Sequence, residues 1–517
     1  MSERLIVHPF TFAVFPIVAL LSYNITEITS RVALRATVIS LILTLLLVLL
    51  ITLLTRSWQK AALSTTLFLI LFFSYGHVYE FLRNNLLFGF SLGRHRYLVV
   101  VFGLLLLAGL FWIYRILKDT KISTQTLNVV GILLLIYPAF RIINYSIHTD
   151  ISEQKITASP ASNVMLVPEN PKRLPDIYLI VLDSYTRADA LLSDYSFDNS
   201  PFLDGLRSMG FYVAECSRAN ASYTHGSLAT MLNMESLLTL NARLADQGLT
   251  HQDIWMLIKH SQVRTLLESI GYQTVAFDSG FEWTRLSDAD VYLKYSGLPY
   301  EKQVAQPFEV MLIHTTALLI WSDFTYQPTT GYNPTPWADI NFEFDDHINR
   351  ARYTLNELPK LASYPGPKFV FAHILVPHYP FVFKPNGDIL TDPKFFDYNV
   401  SQPSDASVRA EGYTNEIQFD NNRMLEILPT LIKKSSIPPI IILMGDHGLE
   451  SDNHWVNLNT YYLPKDGEQN LYPTITPVNS FRVIFDTYFG THYGLIEDIS
   501  YKDDGTIVPE IYPDCLP

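Results

Sequence analysis

The chain has 517 residues, 48% of them hydrophobic, and a formal charge of −13. That length is more than one ordinary domain needs, and the acidic balance speaks against a nucleic-acid binder, because phosphate backbones would be repelled. A mean hydropathy of +0.15 marks part of the chain as built for an apolar surrounding.

The apolar excess is concentrated at the N-terminus. Five stretches almost free of charge cover residues 5–24, 36–55, 61–79, 97–114 and 122–140, each about the 18–20 residues that cross a bilayer core. Four such stretches follow the first, which argues against a cleaved signal peptide. Five spans place the two termini on opposite sides. Arg4, Arg56, Lys60, Arg115, Lys118 and Lys121 on one side nearly balance Arg31, Arg35, Arg83, Arg94 and Arg96 on the other. The expected orientation, N-terminus inside and C-terminus outside, rests on the chemistry of the later residues. His77 and Arg94-His95-Arg96 flank the third and fourth stretches, where they suit either an anionic headgroup or ordinary interfacial anchoring.

The domain expectation is a transmembrane part of about five helices over 1–145, a polar, proline-containing linker over 146–172 and a catalytic domain over 173–517. That domain opens with Ile177-Tyr178-Leu179-Ile180-Val181-Leu182-Asp183, a buried-strand pattern ending in an acid. Helices followed by strands are expected over 202–209 and 211–213, and again over 263–270 and 274–277, with Gly210 and Gly271 at the helix ends. Helical patterns near 346–361 and 415–433 precede strand patterns at 369–372 and 440–444. This alternation predicts an α/β/α sandwich with a mostly parallel sheet.

The second acid-ended strand is Ile440-Ile441-Ile442-Leu443-Met444, which runs into Gly445-Asp446-His447-Gly448. Oxygen and nitrogen donors at a strand end form a natural half-site for a divalent metal, although a capping Asp beside a solvated His reads equally well from these residues alone. A hydroxyl-rich loop, Ser222-Tyr223-Thr224-His225-Gly226-Ser227, runs into a helical pattern. A hydroxyl there serves as a cap or, beside a metal, as a nucleophile.

In these stretches the sequence resembles the alkaline phosphatase superfamily, in its membrane-anchored sulfatase-like branch, which includes lipoteichoic acid synthases and phosphoethanolamine transferases. The resemblance rests on Ile180-Val181-Leu182-Asp183-Ser184, Thr224-His225-Gly226-Ser227, His378-Tyr379-Pro380-Phe381 and Gly445-Asp446-His447-Gly448, in the family's order, behind a membrane part that matches in layout. It implies that Asp183, Thr224, Asp446 and His447 hold a catalytic Mn²⁺ or Zn²⁺, with Thr224 also the nucleophile and Ser222 its competitor. A carboxylate, imidazole and alkoxide set suits those metals. The implied activity is transfer of a phosphoglycerol- or phosphoethanolamine-type group from a phospholipid donor to an envelope glycan or lipid acceptor, in a bacterial inner or plasma membrane with the catalytic domain outside. A hydrolase using water as acceptor and a non-catalytic envelope scaffold are the rival readings.

Two departures from the pattern matter. Asp183 stands where the named subgroups have Glu, and Cys216-Ser217-Arg218 lacks the Pro and Arg spacing from which sulfatases make formylglycine. Among the remaining residues, His378 is expected to hold phosphate or move a proton, and Ser227, His454 and Arg187 to contact substrate. His373 reads as a core histidine, His492 as a remote candidate, and Asp345-Asp346-His347 as a helix start favoured by the dipole. Cys216 and Cys515 are the two cysteines; whether they pair is left open.

Overall fold

The computed structural model describes the chain apart from residues 1–4, 27, 29, 86–92, 158–164, 169–172, 296–306, 321–341, 391, 393–394, 396–404, 450–453, 466, 503 and 509–517. The chain divides into two compact units, Met1–His148 with Leu298–Glu343, and Thr149–Gly297 with Phe344–Pro517.

Among the described residues, four helices are long and apolar enough to cross a membrane: Ala33–Thr55, Trp58–Leu82, His95–Ile116 and Thr120–Thr157. The first apolar stretch forms the shorter helix His8–Tyr23. Apolar windows in 33–55 and 95–116 are only 11% buried, so their Leu and Val side chains lie on the outside, as lipid-facing helices require. Residues 298–343 group with Met1–His148 in the N-terminal unit. Their helix Pro307–His314 buries Phe308 against Ile17, Leu21 and Ala36. Glu309 pairs with Arg35, and the Thr315 carbonyl accepts from the Gly76 N–H at 3.0 Å. A Cβ at Gly76 would lie 2.0 Å from the His314 oxygen, so the close approach needs glycine. The fifth apolar helix continues to Thr157.

Among the described residues, the C-terminal unit is built on a seven-stranded sheet. Its strands are β1 (Ile177–Leu182), β2 (Tyr212–Val213), β3 (Gln273–Phe277), β4 (Val291–Leu293), β5 (Lys368–Ile374), β6 (Ile440–Gly445) and β7 (Asn459–Tyr462). The order is β2-β7-β6-β1-β5-β3-β4. β6, β1, β5, β3 and β4 run parallel, and the β7 and β2 edge is antiparallel. Every residue of β1, β5 and β6 is buried. Ile177, Leu179 and Val181 pack into one apolar layer with the Thr224–Asn233 and Pro477–Tyr488 helices, while Tyr178, Ile180 and Leu182 join another with the Phe342–Glu357 and Ala406–Lys434 helices. Both faces are therefore covered, which is why these strands read as unbroken hydrophobic runs. Gly210 and Gly271 adopt φ of +90° and +93° just past their helices, as expected of left-handed ends.

Candidate metal centre and its pocket

Three adjacent strands deliver the site. β1 pairs with β6 so that Leu182 lies opposite Gly445, and the next residue on each strand is an acid. Register alone thus sets Asp183 and Asp446 side by side at the carboxyl ends of the parallel strands, where α/β sheets place their ligands. Gly445 is required by packing, since a Cβ there would lie 2.1 Å from the Tyr185 carbonyl.

Asp183, Asp446 and His447 are buried, and their ligand atoms lie within 4.8 Å of one another. The donor set fits a divalent metal on three counts. Asp446 Oδ1 accepts from the N–H groups of Ser184 (2.9 Å) and His447 (3.0 Å), while the buried Oδ2 has no hydrogen-bond partner. His447 donates Nδ1–H to the Gly448 carbonyl at 2.8 Å, which leaves Nε2 as the ligand atom. That Nε2 lies 3.4 Å from Asp446 Oδ2, 3.9 Å from Asp183 Oδ1 and 3.3 Å from Thr224 Oγ1.

Thr224 is the first residue of the Thr224–Asn233 helix, after Tyr223 in extended backbone. Its hydroxyl sits at the helix end where unpaired N–H groups and the dipole favour an anion. Ser222, the competing hydroxyl, is buried, its carbonyl accepting from His454 Nδ1 at 3.1 Å.

Electrostatics keep the site charged. Burial alone would push the Asp183 carboxyl up, but His378, then His373 and His447, hold it well below the usual carboxylate range. Burial opposes charge on His447, yet Asp446 and then Asp183 raise it above the ordinary imidazole value. A proton and a metal ion therefore compete for the same Nε2.

Ser184 joins the two acids. It is a non-glycine residue at φ +62°, a strained conformation of the kind found at functional sites. Its N–H binds Asp446 and its hydroxyl donates to Asp183 Oδ1 at 3.0 Å. Tyr413, fully buried on the Ala406–Lys434 helix, donates to the Ser184 carbonyl at 2.7 Å and accepts from the Thr186 N–H at 3.0 Å.

A cavity of about 280 Å³ opens on this centre, lined on the metal side by Asp183, Thr224 and His447, with His373, His378 and His454 close by. His378 is half-buried and donates Nδ1–H to the Tyr379 carbonyl at 2.6 Å. The His454 ring stacks on His447 with centroids 5.7 Å apart. His373, read from sequence as a core histidine, is indeed buried but touches Asp183 Oδ2 from Nε2 at 3.2 Å, while Nδ1 pairs with the Thr284 hydroxyl at 3.0 Å.

Two expected substrate contacts lie elsewhere. Arg187 is buried, bound to both carboxylate oxygens of Asp189 at 2.7 Å and to the Ser217 carbonyl at 2.9 Å. Ser227 is fully buried and donates to the Asp446 carbonyl at 2.7 Å, so it braces the ligand turn. His492 is exposed and does not line the cavity. His347 is half-buried near the site, and its desolvation pushes its imidazole down to about 3; the Asp345 and Asp346 side chains lie outside the described residues. Tyr413, Phe281 and Trp283 carried no signal in the sequence, and Ser184 stood there only as the residue after Asp183. Cys216 is disulfide-bonded, and Cys515 lies outside the described residues.

No protein-family model matches the sequence, and no curated protein matches it. Solved structures with a similar chain path include the C-terminal periplasmic domain of EcEptC from Escherichia coli in complex with Zn, at 13% identity and a TM-score of 0.42, covering 68% of this chain and 98% of that one. The integral membrane lipooligosaccharide phosphoethanolamine transferase A (EptA) from Neisseria meningitidis is 11% identical at a TM-score of 0.35, covering 93% of this chain and 95% of that one. A protein in the alkaline phosphatase superfamily from Vibrio parahaemolyticus is 11% identical at 0.31, covering 65% and 74%.

Proposed function

We propose that this protein is a membrane-anchored, metal-dependent phosphotransferase that moves a phospho-substituent from a phospholipid donor to an envelope glycan or lipid hydroxyl. The observation that carries the reading is the placement of Thr224: a hydroxyl at a helix N-terminus, 3.3 Å from a ligand nitrogen and beside two buried carboxylates. Asp183, Asp446, His447 and Thr224 would hold Mn²⁺ or Zn²⁺. When bound, such an ion lowers the pKa of a coordinated hydroxyl and balances charge on phosphoryl oxygens.

The chain's own residues supply the rest. Thr224 Oγ1 attacks phosphorus in line, its proton passing to a base or solvent, and the phosphorus–oxygen bond to the lipid alcohol breaks. The resulting phosphothreonine is attacked by an acceptor hydroxyl, which restores the threonine. His378 and His454 line the cavity on the metal side, where they can hold a phosphoryl oxygen or give a proton to the departing oxygen. The N–H groups at the start of the Thr224–Asn233 helix receive developing negative charge. A disulfide at Cys216 suits an oxidising compartment, so the catalytic unit is assigned to the extracytoplasmic side.

Water in place of the acceptor gives a phosphodiesterase from the same site. Incubation with mixed bacterial phospholipids, followed by mass spectrometry, separates the two. Diacylglycerol formed only with a glycan acceptor present is the expected result, free phosphoglycerol or phosphoethanolamine would indicate hydrolysis, and no product from any lipid would overturn the phospholipid donor.

A further inference from the structure

The cavity has a second wall that the chemistry at phosphorus does not use. Beyond the strand β3, the loop 278–284 carries Phe281 and Trp283 to the cavity, where their rings stack 5.7 Å apart at 11°. Trp283 meets His225 edge-on at 5.4 Å, His225 lies parallel to Tyr223 at 6.1 Å, and Tyr223 meets His454 edge-on at 5.9 Å. The aromatic surface thus runs unbroken from the ring stacked on His447 to Phe281.

This wall is fixed relative to the metal centre. The Ser279 and Thr284 hydroxyls pair at 2.7 Å, Thr284 pairs with His373, and His373 reaches Asp183. Gly280, at φ +97°, lets Arg350 lie over the loop: a Cβ there would be 1.5 Å from Arg350 Nη1, which donates to the Ser279 carbonyl at 3.2 Å.

Its charge is as telling as its shape. Among the described residues lining the cavity there is no Lys or Arg, and Asp183 is the sole carboxylate, already engaged by Ser184 and His373. Glu282, between the two aromatic residues, is turned to Lys259 at 2.7 Å and Arg285 at 2.8 Å. A second anionic group finds no cation here, and an ammonium finds no free acid. Flat rings interleaved with imidazoles suit a group with apolar C–H faces and neutral hydroxyls.

We infer that the Phe281 and Trp283 wall is the subsite for a sugar ring next to the transferred phosphorus, with Trp283 the specificity-determining residue. The inference rests on the phosphoryl-transfer reading above. It is tested on metal-loaded full-length protein in detergent with three p-nitrophenyl phosphodiesters, whose second ester group is methyl, glucose through its 6-hydroxyl, or choline. The wild type should favour the glucose over the methyl diester by about fivefold in kcat/KM, the size of one good stacking contact. Trp283→Leu, which keeps apolar bulk, should collapse that ratio toward one, and Trp283→Phe should restore most of it. A wild-type ratio near one, a ratio that survives Trp283→Leu, or preference for the choline diester overturns the inference. If no diester is turned over, the transfer reading fails instead, and tryptophan emission titrated with the methyl diester of glucose 6-phosphate still decides the wall. A saturable change lost in Trp283→Leu supports it, and no change in the wild type overturns it.

Discussion

The two walls of the cavity are built by different means. On the metal side, Asp183, Asp446 and His447 follow directly on neighbouring parallel strands, and a one-residue shift in register would separate the acids. On the aromatic side, Phe281 and Trp283 sit on the loop 278–284, held through the hydroxyl and imidazole chain that ends on Asp183, while Tyr223 and His225 sit at the start of the Thr224–Asn233 helix. In the proposed reading the first wall would handle phosphorus, and the second would handle what phosphorus carries.

If that division holds, changes on the metal side should abolish turnover of every substrate. Thr224→Ala, with the largest expected effect, should lower turnover on the order of 10³-fold or more with any diester, since no other described hydroxyl occupies its place. Asp446→Asn should come next. It should weaken metal binding, followed by chelator competition, by more than the roughly 10–100-fold typical of an outer-shell change. Retention of metal would show that Asp446 serves only to hold Ser184.

Tyr413→Phe probes how far the metal wall depends on its support. Loss of the hydroxyl frees the strained Ser184, and metal affinity should fall about 10-fold, while thermal stability without metal drops by about 1 kcal/mol. A stability loss with unchanged metal affinity would confine Tyr413 to packing.

The support helix itself should affect stability and its pH dependence rather than turnover. Glu416 and Asp420 on Ala406–Lys434 are fully buried, and burial raises both carboxyls well above their usual range. Glu416 accepts from the Val382 and Phe383 N–H groups at 2.6 and 3.2 Å, whereas neither Asp420 oxygen has a hydrogen-bond partner. The folded state thus binds more protons than the unfolded one, so stability is full below the unfolded carboxyl value and declines as pH rises towards the raised folded value. Asp420→Asn should flatten that decline by up to about 1.4 kcal/mol per pH unit, one proton's worth, with its gain in melting temperature larger at pH 8 than at pH 5. An equal gain at both pH values would mean that Asp420 is not held protonated.

What the sequence made legible follows the same division. An apolar run ending in an acid is a local pattern, so Asp183, Asp446-His447 and the Thr224 helix start could be found without a structure, and register then assembled them. The aromatic wall has no such pattern, because Phe281 and Trp283 reach the cavity only through the backbone turn at Gly280 and the hold of Arg350. Arg187 and Ser227 looked like substrate contacts because their proximity in sequence to Asp183 and Thr224 says nothing of which way a side chain turns; one meets Asp189 and the other the Asp446 carbonyl. The grouping of 298–343 with the N-terminal unit was hidden for a related reason: Phe308, Glu309 and Thr315 look ordinary until Ile17, Arg35 and Gly76 are seen beside them.

The most direct test of the account is to mix metal-loaded protein with a phospholipid donor, withhold any acceptor, quench, and map the covalent adduct by peptide mass spectrometry. The phospho-substituent is expected on Thr224, released when acceptor is added. Turnover with Thr224 unmodified, or the adduct on Ser222, would contradict it.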